Sequence, residues 1–271
     1  MKRILLAAAL VAALGTAASV VFAQEPQAPP LVRVTVNASD MEVVGEESLG
    51  VGPTRFEVTV PGRQERAFSL FELKAGVTRE EAERRAPQIQ EPADAEALGR
   101  FVAGSVIDGG QTYTTTLSLR DGTYVLIDLT RRPAVRDGFT VGTTPNMANV
   151  TEPDATVTMR DYAFAGDTTL PRNGTLRIEN DGRRLHHALA FRLRSGVNGR
   201  RVVRQLRRGR EPRRVFAGQA SALVELVSGG TVNDVETSAR AGRYVLVCFI
   251  QNTRRSKPHA ELGMVRQVRF E

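Results

Sequence analysis

The sequence is poor in the residues that carry most protein chemistry, with one cysteine and three histidines among 271 residues. A single cysteine, Cys248, excludes an internal disulfide. Beyond the N-terminal leader, no stretch approaches the roughly 18 uninterrupted apolar residues that a membrane helix requires. A membrane-spanning protein is therefore not expected.

The N-terminus has the pattern of a secretory leader. Lys2 and Arg3 precede an apolar stretch that ends in the small-residue site Val21-Phe22-Ala23. This pattern predicts a signal peptide over residues 1–23 and an exported bacterial protein, periplasmic or extracellular. Because cysteines normally pair in such oxidising compartments, the lone Cys248 is expected to be an inert buried thiol, an intermolecular bridge, a nucleophile or a metal ligand.

Charge is divided unevenly along the chain. Residues 24–150 contain 13 Lys+Arg against 18 Asp+Glu, whereas residues 151–271 contain 22 against 12. The basic second half predicts an acidic redox partner protein or an anionic envelope surface as partner, and no nucleic acid. Its most basic stretch, NGRRVVRQLRRG, has the pattern of a helix whose arginines form a solvated face or a docking surface.

Two segments recur at one offset. PGRQERAFSLFELKAGV at 61–77 aligns without a gap over DGRRLHHALAFRLRSGV at 181–197, and RDGTYVLID at 120–128 aligns over RAGRYVLVC at 240–248. Both alignments have an offset of 120. Two separated blocks at one offset predict two copies of one fold, with domains at 24–150 and 151–271.

Each copy consists of short runs of β-branched and aromatic residues between Gly, Asn and Asp breaks. This pattern predicts an all-β fold of two tandem Greek-key β-sandwiches, each with a short helical insertion. The first insertion has a capping pattern from Thr78 to Glu81, and the second has Asn198 as a cap with Val202 and Leu206 on one face.

The second copy contains a soft set of metal donors. A histidine pair follows the IENDGRRL turn, Cys248 ends the strand GRYVLVC, and His259 and Met264 follow in PHAELGM. Two imidazoles, a thiolate and a long axial thioether form blue-copper sites. These motifs resemble the cupredoxin family, and the resemblance implies one type 1 copper ion held by His186 or His187 with Cys248, His259 and Met264.

Two features of the motif leave alternatives open. The turn spacing favours His186 narrowly, whereas alternation with Leu189 and Phe191 favours His187. Ten residues separate Cys248 from His259, a longer loop than in the small members of the family, and its three basic residues would oppose a cation unless they point to solvent.

The resemblance implies one-electron transfer or copper carriage. At the offset of 120, the first copy has Arg66, Ala67 and Asp128 in place of the histidine pair and Cys248, so it is predicted to be metal-free. Three histidines are too few for a multicopper oxidase or a nitrite reductase, and a Cys–His hydrolase lacks an orienting motif. The alternative function is a metal-free interaction or envelope module in which the same residues only pack.

Overall fold

The computed structural model describes residues 27–130 and 132–271, so the leader predicted for residues 1–23 lies outside the described part of the chain. The first half of the structure, up to residue 150, contains β1 Leu31–Val36, β2 Met41–Val44, β3 Gly50–Thr59, β4 Arg66–Leu73, α1 Arg79–Arg85, a 3-10 turn Ala86–Gln88, α2 Pro92–Glu96, β5 Gly99–Ile107, β6 Thr112–Leu119, β7 Gly122–Asp128 and β8 Ala134–Pro145.

The second half contains β9 Ala155–Arg160, β10 Ala163–Gly166, β11 Thr169–Leu170, β12 Asn173–Asn180, β13 His186–Arg192, α3 Gly199–Leu206, β14 Ser221–Val227, β15 Thr231–Ser238, β16 Gly242–Val247, α4 His259–Leu262 and β17 Val265–Phe270. Within the described residues, no helix is long and apolar enough to cross a membrane.

Two layers of strands form each half. In the first half, β2-β1-β3-β6 packs against β5-β4-β7-β8, and in the second, β10-β9-β12-β15 packs against β14-β13-β16-β17-β11. Inward-facing apolar side chains of both layers, such as Val58 with Phe68 and Ile178 with Leu246, belong to one buried core. The predicted all-β fold of Greek-key sandwiches is confirmed.

The predicted helical insertions are also present. Thr78 caps α1 by accepting a hydrogen bond from the Glu81 N–H at 3.2 Å. Asn198 caps α3 by accepting from the Arg201 N–H at 3.1 Å, and Val202 and Leu206 are buried beneath the helix. Both helices cover the outer face of their sandwich, since clusters of buried residues lie under each.

The two halves are joined along two seams. Antiparallel pairing of Asp234 with Thr116 connects β15 to β6, so one sheet runs through both halves. Beside it, β14 lies along β5: the Ser228 N–H donates to the Phe101 carbonyl at 2.9 Å, and the Ser105 hydroxyl donates to the Ala222 carbonyl at 3.1 Å. The halves therefore share backbone hydrogen bonds as well as apolar contacts.

The last connection differs in length between the halves. Gly122 on β7 pairs with Val141 on β8, whereas Gly242 on β16 pairs with Phe270 on β17. The second half thus has nine more residues between otherwise equivalent pairs. These residues fall in the segment that contains His259.

Candidate metal centre

Three predicted ligands lie where strands of one sheet end. His186 is the first residue of β13, Cys248 directly follows β16, and His259 is the first residue of α4. Because β13 and β16 are antiparallel neighbours, with Leu189 opposite Val247, the start of one strand lies beside the end of the other. Topology therefore brings His186 to Cys248, and the following loop must supply His259.

The three side chains converge through specific atoms. Nδ1 of His186 is 3.1 Å from Nδ1 of His259, and Sγ of Cys248 is 3.5 Å from the latter and 3.9 Å from the former. All three residues are fully buried. Bonds of about 2.0 Å to nitrogen and about 2.3 Å to sulfur in a trigonal plane would separate the donor atoms by about 3.5–3.7 Å. The observed triangle has the size of a first-row metal site.

The outer nitrogen of each ring faces an oxygen acceptor. Nε2 of His259 is 3.0 Å from Oδ1 of Asn252, and Nε2 of His186 is 3.4 Å from Oδ1 of Asp161, at an angle outside hydrogen-bond geometry. These acceptors favour the proton on Nε2 in both rings, which leaves both Nδ1 lone pairs pointing inward. Ligating histidines are oriented in this way by outer partners.

Two inward lone pairs 3.1 Å apart repel each other unless a proton or a cation lies between them. Burial lowers the pKa of His186 to about 4, although Asp161 opposes the shift. Burial, reinforced by His186, also lowers the pKa of His259 to about 4. Neither ring is therefore protonated at neutral pH, and the thiol of Cys248 can donate to only one of them. The arrangement suits a cation.

Burial raises the pKa of the Cys248 thiol to about 12, so the thiol is protonated in the metal-free protein. The pKa of Asp161 is lowered: burial opposes its ionisation, but hydrogen bonds from the backbone N–H groups of Arg183 and Arg184, together with the nearby His186 ring, favour the carboxylate. An anionic Asp161 behind His186 increases the basicity of that ring toward an electron-poor partner.

Aromatic and polar groups cover the second imidazole. The Tyr162 ring meets His259 edge-on, with centroids 5.1 Å apart, and the Arg184 guanidinium lies 5.6 Å above the same tyrosine. The amide of Asn252 donates to the Tyr162 hydroxyl at 3.1 Å, which fixes its oxygen toward His259. Asp161, Tyr162 and Asn252 belong to the site although no local sequence pattern marks them.

Asn180 holds the turn before the first histidine. Its amide donates to the carbonyls of Arg184 and Val227, each at 2.9 Å, and its oxygen accepts from the Gly182 N–H at 3.0 Å. A Cβ on Gly182 would lie 2.5 Å from Oδ1 of Asp161 and 3.0 Å from Nε2 of His186. Only glycine at position 182 leaves room for the contact between Asp161 and His186.

The backbone of Met264 lies next to Cys248 and His259. Its carbonyl accepts from the Cys248 N–H at 3.2 Å, and its own N–H donates to the His259 carbonyl at 2.9 Å. The thioether is fully buried within the same apolar core as Cys248. These contacts put the backbone of Met264 next to two cluster residues, and its axial role stays a prediction.

His187, the alternative ligand, is outside the cluster. Its Nε2 accepts a hydrogen bond from the Phe249 N–H at 2.7 Å, and its Nδ1 lies 3.8 Å from a carboxylate oxygen of Glu225. Phe191, which shares the strand face of His187 by alternation, packs under α3 on the outer face, while Ala188 and Ala190 face the sandwich interior. This placement favours His186.

The long loop folds back through its own hydrogen bonds. The Ser256 N–H donates to the Thr253 carbonyl at 3.0 Å, and the His259 N–H donates to the Ile250 carbonyl at 2.9 Å, which returns the chain to the end of β16. The basic side chains of the loop, Arg254, Arg255 and Lys257, are exposed. Their charge therefore points to solvent and away from the buried donors.

The first half has no comparable cluster among its described residues. Asp128, at the position of Cys248, accepts from the Thr130 N–H at 2.8 Å and from Arg136 at 3.3 Å. Arg66 and Ala67 start β4, where the histidine pair starts β13. In the first half, the end of β7 thus carries an ion pair between Asp128 and Arg136 where the second half has Cys248.

Solved structures with low similarity to the chain include a copper nitrite reductase and two further proteins. Lac15 from a marine microbial metagenome is 14% identical, with a TM-score of 0.30 over 87% of this chain and 67% of that one. Reduced auracyanin from Roseiflexus castenholzii is 15% identical, with a TM-score of 0.27 over 43% and 94%. Copper nitrite reductase from Nitrosomonas europaea is 11% identical, with a TM-score of 0.25 over 89% and 94%.

Similarities this low assign no function. No family model matches the chain, and the search of curated proteins gave no significant match. The functional interpretation therefore depends on the cluster of His186, Cys248 and His259.

Proposed function

We propose that the protein binds one copper ion in a type 1 site of its second half and serves in one-electron transfer or copper carriage. The supporting observation is the buried triangle of His186, Cys248 and His259, whose Nδ1 and Sγ atoms lie 3.1–3.9 Å apart. Soft thiolate with imidazole suits copper in both oxidation states. Met264, whose backbone is hydrogen-bonded to Cys248 and His259, would supply an axial thioether, a donor that favours copper over zinc.

The residues have separate tasks in this function. Cys248, His186 and His259 would hold copper, which when bound supplies a one-electron couple. Asp161 and Asn252 keep the two rings in the tautomer that turns Nδ1 inward, and the core around the thiol excludes water. Because strand ends and hydrogen-bonded turns fix the donors, little rearrangement accompanies a change of charge.

We also propose an acidic redox protein as partner. Five basic side chains on the two loops that carry the ligands are exposed: Arg183, Arg184, Arg254, Arg255 and Lys257. A positive rim around a buried redox site steers a negative partner toward it. Association should therefore slow as ionic strength rises.

Export and the division into domains at 24–150 and 151–271 belong to the same proposal. The N-terminal pattern of Lys2-Arg3 and an apolar run supports export. The strands that correspond at an offset of 120 support the division, as β4 and β7 match β13 and β16.

Copper titration of the purified protein tests the function. Bound Cu(II) should produce the intense visible band of a copper–thiolate bond, and Cys248→Ser should remove it. His186→Gln should abolish or strongly shift the band, whereas the matched variant His187→Gln should keep it. A protein that develops no band and retains a titratable thiol would instead be a metal-free module.

A further inference from the structure

An unpaired basic surface covers α3 and the segment after it. The eight arginines of residues 200–214 are all exposed, and the segment has one acidic residue, Glu211. None of these arginines forms an ion pair with a carboxylate in the described part of the chain. They are Arg200, Arg201, Arg204, Arg207, Arg208, Arg210, Arg213 and Arg214, here called the arginine surface.

The helix concentrates this charge on one side. At 100° per residue, Arg200, Arg201 and Arg204 of α3 fall within an arc of about 100°. Arg207, the C-cap residue, extends the arc to about 120°. Val202 and Leu206 point the opposite way and are buried against the sandwich. The charged face is therefore turned fully outward by the packing of the apolar face.

The segment that carries the arginine surface, residues 199–214, has no exposed apolar side chain. Val202, Leu206 and Pro212 are buried, Val203 is half-buried, and no aromatic residue occurs between 199 and 214. The hot spots of specific protein interfaces combine arginine with tyrosine and tryptophan in well-packed, desolvated pockets, and single-stranded nucleic acids stack on aromatic rings. Guanidinium groups, in contrast, bind phosphate oxygens through paired hydrogen bonds without any apolar contact.

We propose that the arginine surface docks the protein on a bilayer that contains anionic phospholipid. Charge without apolar anchors fits a laterally mobile array of phosphates, which needs no complementary shape. The predicted leader at residues 1–23 agrees with an envelope location, where such bilayers are present. The docking is reversible and electrostatic, since no side chain of the surface can insert into the hydrocarbon.

The surface adjoins the metal centre. Nη2 of Arg207 donates to the carbonyls of Gly263 and Val265, each at 3.3 Å, on either side of Met264. Docking would thus bring the α4 end of the site close to the bilayer. Only this consequence rests on the proposed copper function; lipid binding itself does not require the metal.

Vesicle co-sedimentation of the metal-free protein tests the proposal. Vesicles of phosphatidylglycerol with phosphatidylcholine should bind it, and pure phosphatidylcholine should not. The test variant replaces four arginines of the surface with glutamine, namely Arg200→Gln, Arg201→Gln, Arg204→Gln and Arg208→Gln. At about 1 kcal/mol per charge, binding should fall about 100- to 1000-fold.

A variant of equal charge provides the control. It replaces four exposed arginines elsewhere that form no ion pairs, by Arg63→Gln, Arg84→Gln, Arg120→Gln and Arg240→Gln. This control should retain most of the binding. Equal losses in the two variants would overturn the proposal, because net charge alone would then explain binding. So would absent binding to phosphatidylglycerol, or stronger binding to polyglutamate or duplex DNA at the same salt concentration.

Discussion

The two buried imidazoles should make the stability of the metal-free protein strongly dependent on pH. Both rings have pKa values lowered by burial to about 4, whereas a histidine in the unfolded chain titrates near 6.5. Below pH 6.5 the unfolded state therefore binds more protons than the native state, and the free energy of unfolding falls as pH falls toward 4. Each ring contributes a slope of up to about 1.4 kcal/mol per pH unit, and about 3 kcal/mol over the whole interval.

Urea unfolding of the metal-free protein at several pH values between 7.5 and 4.5 measures this slope. In each of the variants His186→Gln and His259→Gln, the change of the free energy of unfolding with pH should be smaller by the contribution of one proton, because glutamine does not titrate. Carboxylates also reduce stability in acid, but they are the same in all three proteins. If the wild type and both variants show the same slope, the two rings are not held neutral in the fold.

Three further changes test the outer parts of the site. Apparent copper affinity should rise about tenfold per pH unit between pH 7 and 9, because copper binding must displace the proton of the Cys248 thiol, whose pKa is raised to about 12. Competition with a chelator measures this rise in affinity. The variant Cys248→Ser should show no such rise. Asn252→Ala should weaken copper binding about 10- to 100-fold in the same assay, since His259 loses its orienting acceptor, while Thr253→Ala should have little effect. Gly182→Ala should lower the free energy of unfolding, measured by urea denaturation, by about 1–3 kcal/mol, because the added Cβ would lie 2.5 Å from Oδ1 of Asp161. Unchanged stability would show that the turn can move aside.

Sequence patterns predicted the frame of the molecule well. Short runs of β-branched and aromatic residues predicted the β-sandwich fold, and capping residues predicted both helices. The cluster residues could also be predicted, since each histidine or cysteine lies where a strand or helix begins or ends. Strand alternation cannot distinguish the two histidines, because β13 has two buried faces, one toward the core and one toward α3, and a register shift separates His186 from Ala188.

The outer partners could not be predicted, for a different reason. Asp161 comes from the turn between β9 and β10, and Asn252 from the middle of the ligand loop. Each reaches its histidine through the path of a loop, which no local periodicity describes. In the sequence, Asp161 and Asn252 are recognisable only as polar residues in turns at the same end of the sandwich as the histidines. Many polar turn residues have no role in binding.

The two halves indicate that the candidate metal centre depends on loops more than on the fold. Equivalent strands occur in both, but only the second has the nine additional residues that deliver a histidine. The first half still contacts both ligand loops: Leu185, just before His186, and Ile250, two residues after Cys248, pack into its apolar cluster. Glu91 also accepts a hydrogen bond from the Arg254 N–H at 3.1 Å. Because these contacts restrict the loops on either side of the donors, the half without ligands contributes to the geometry of the site through packing and a hydrogen bond.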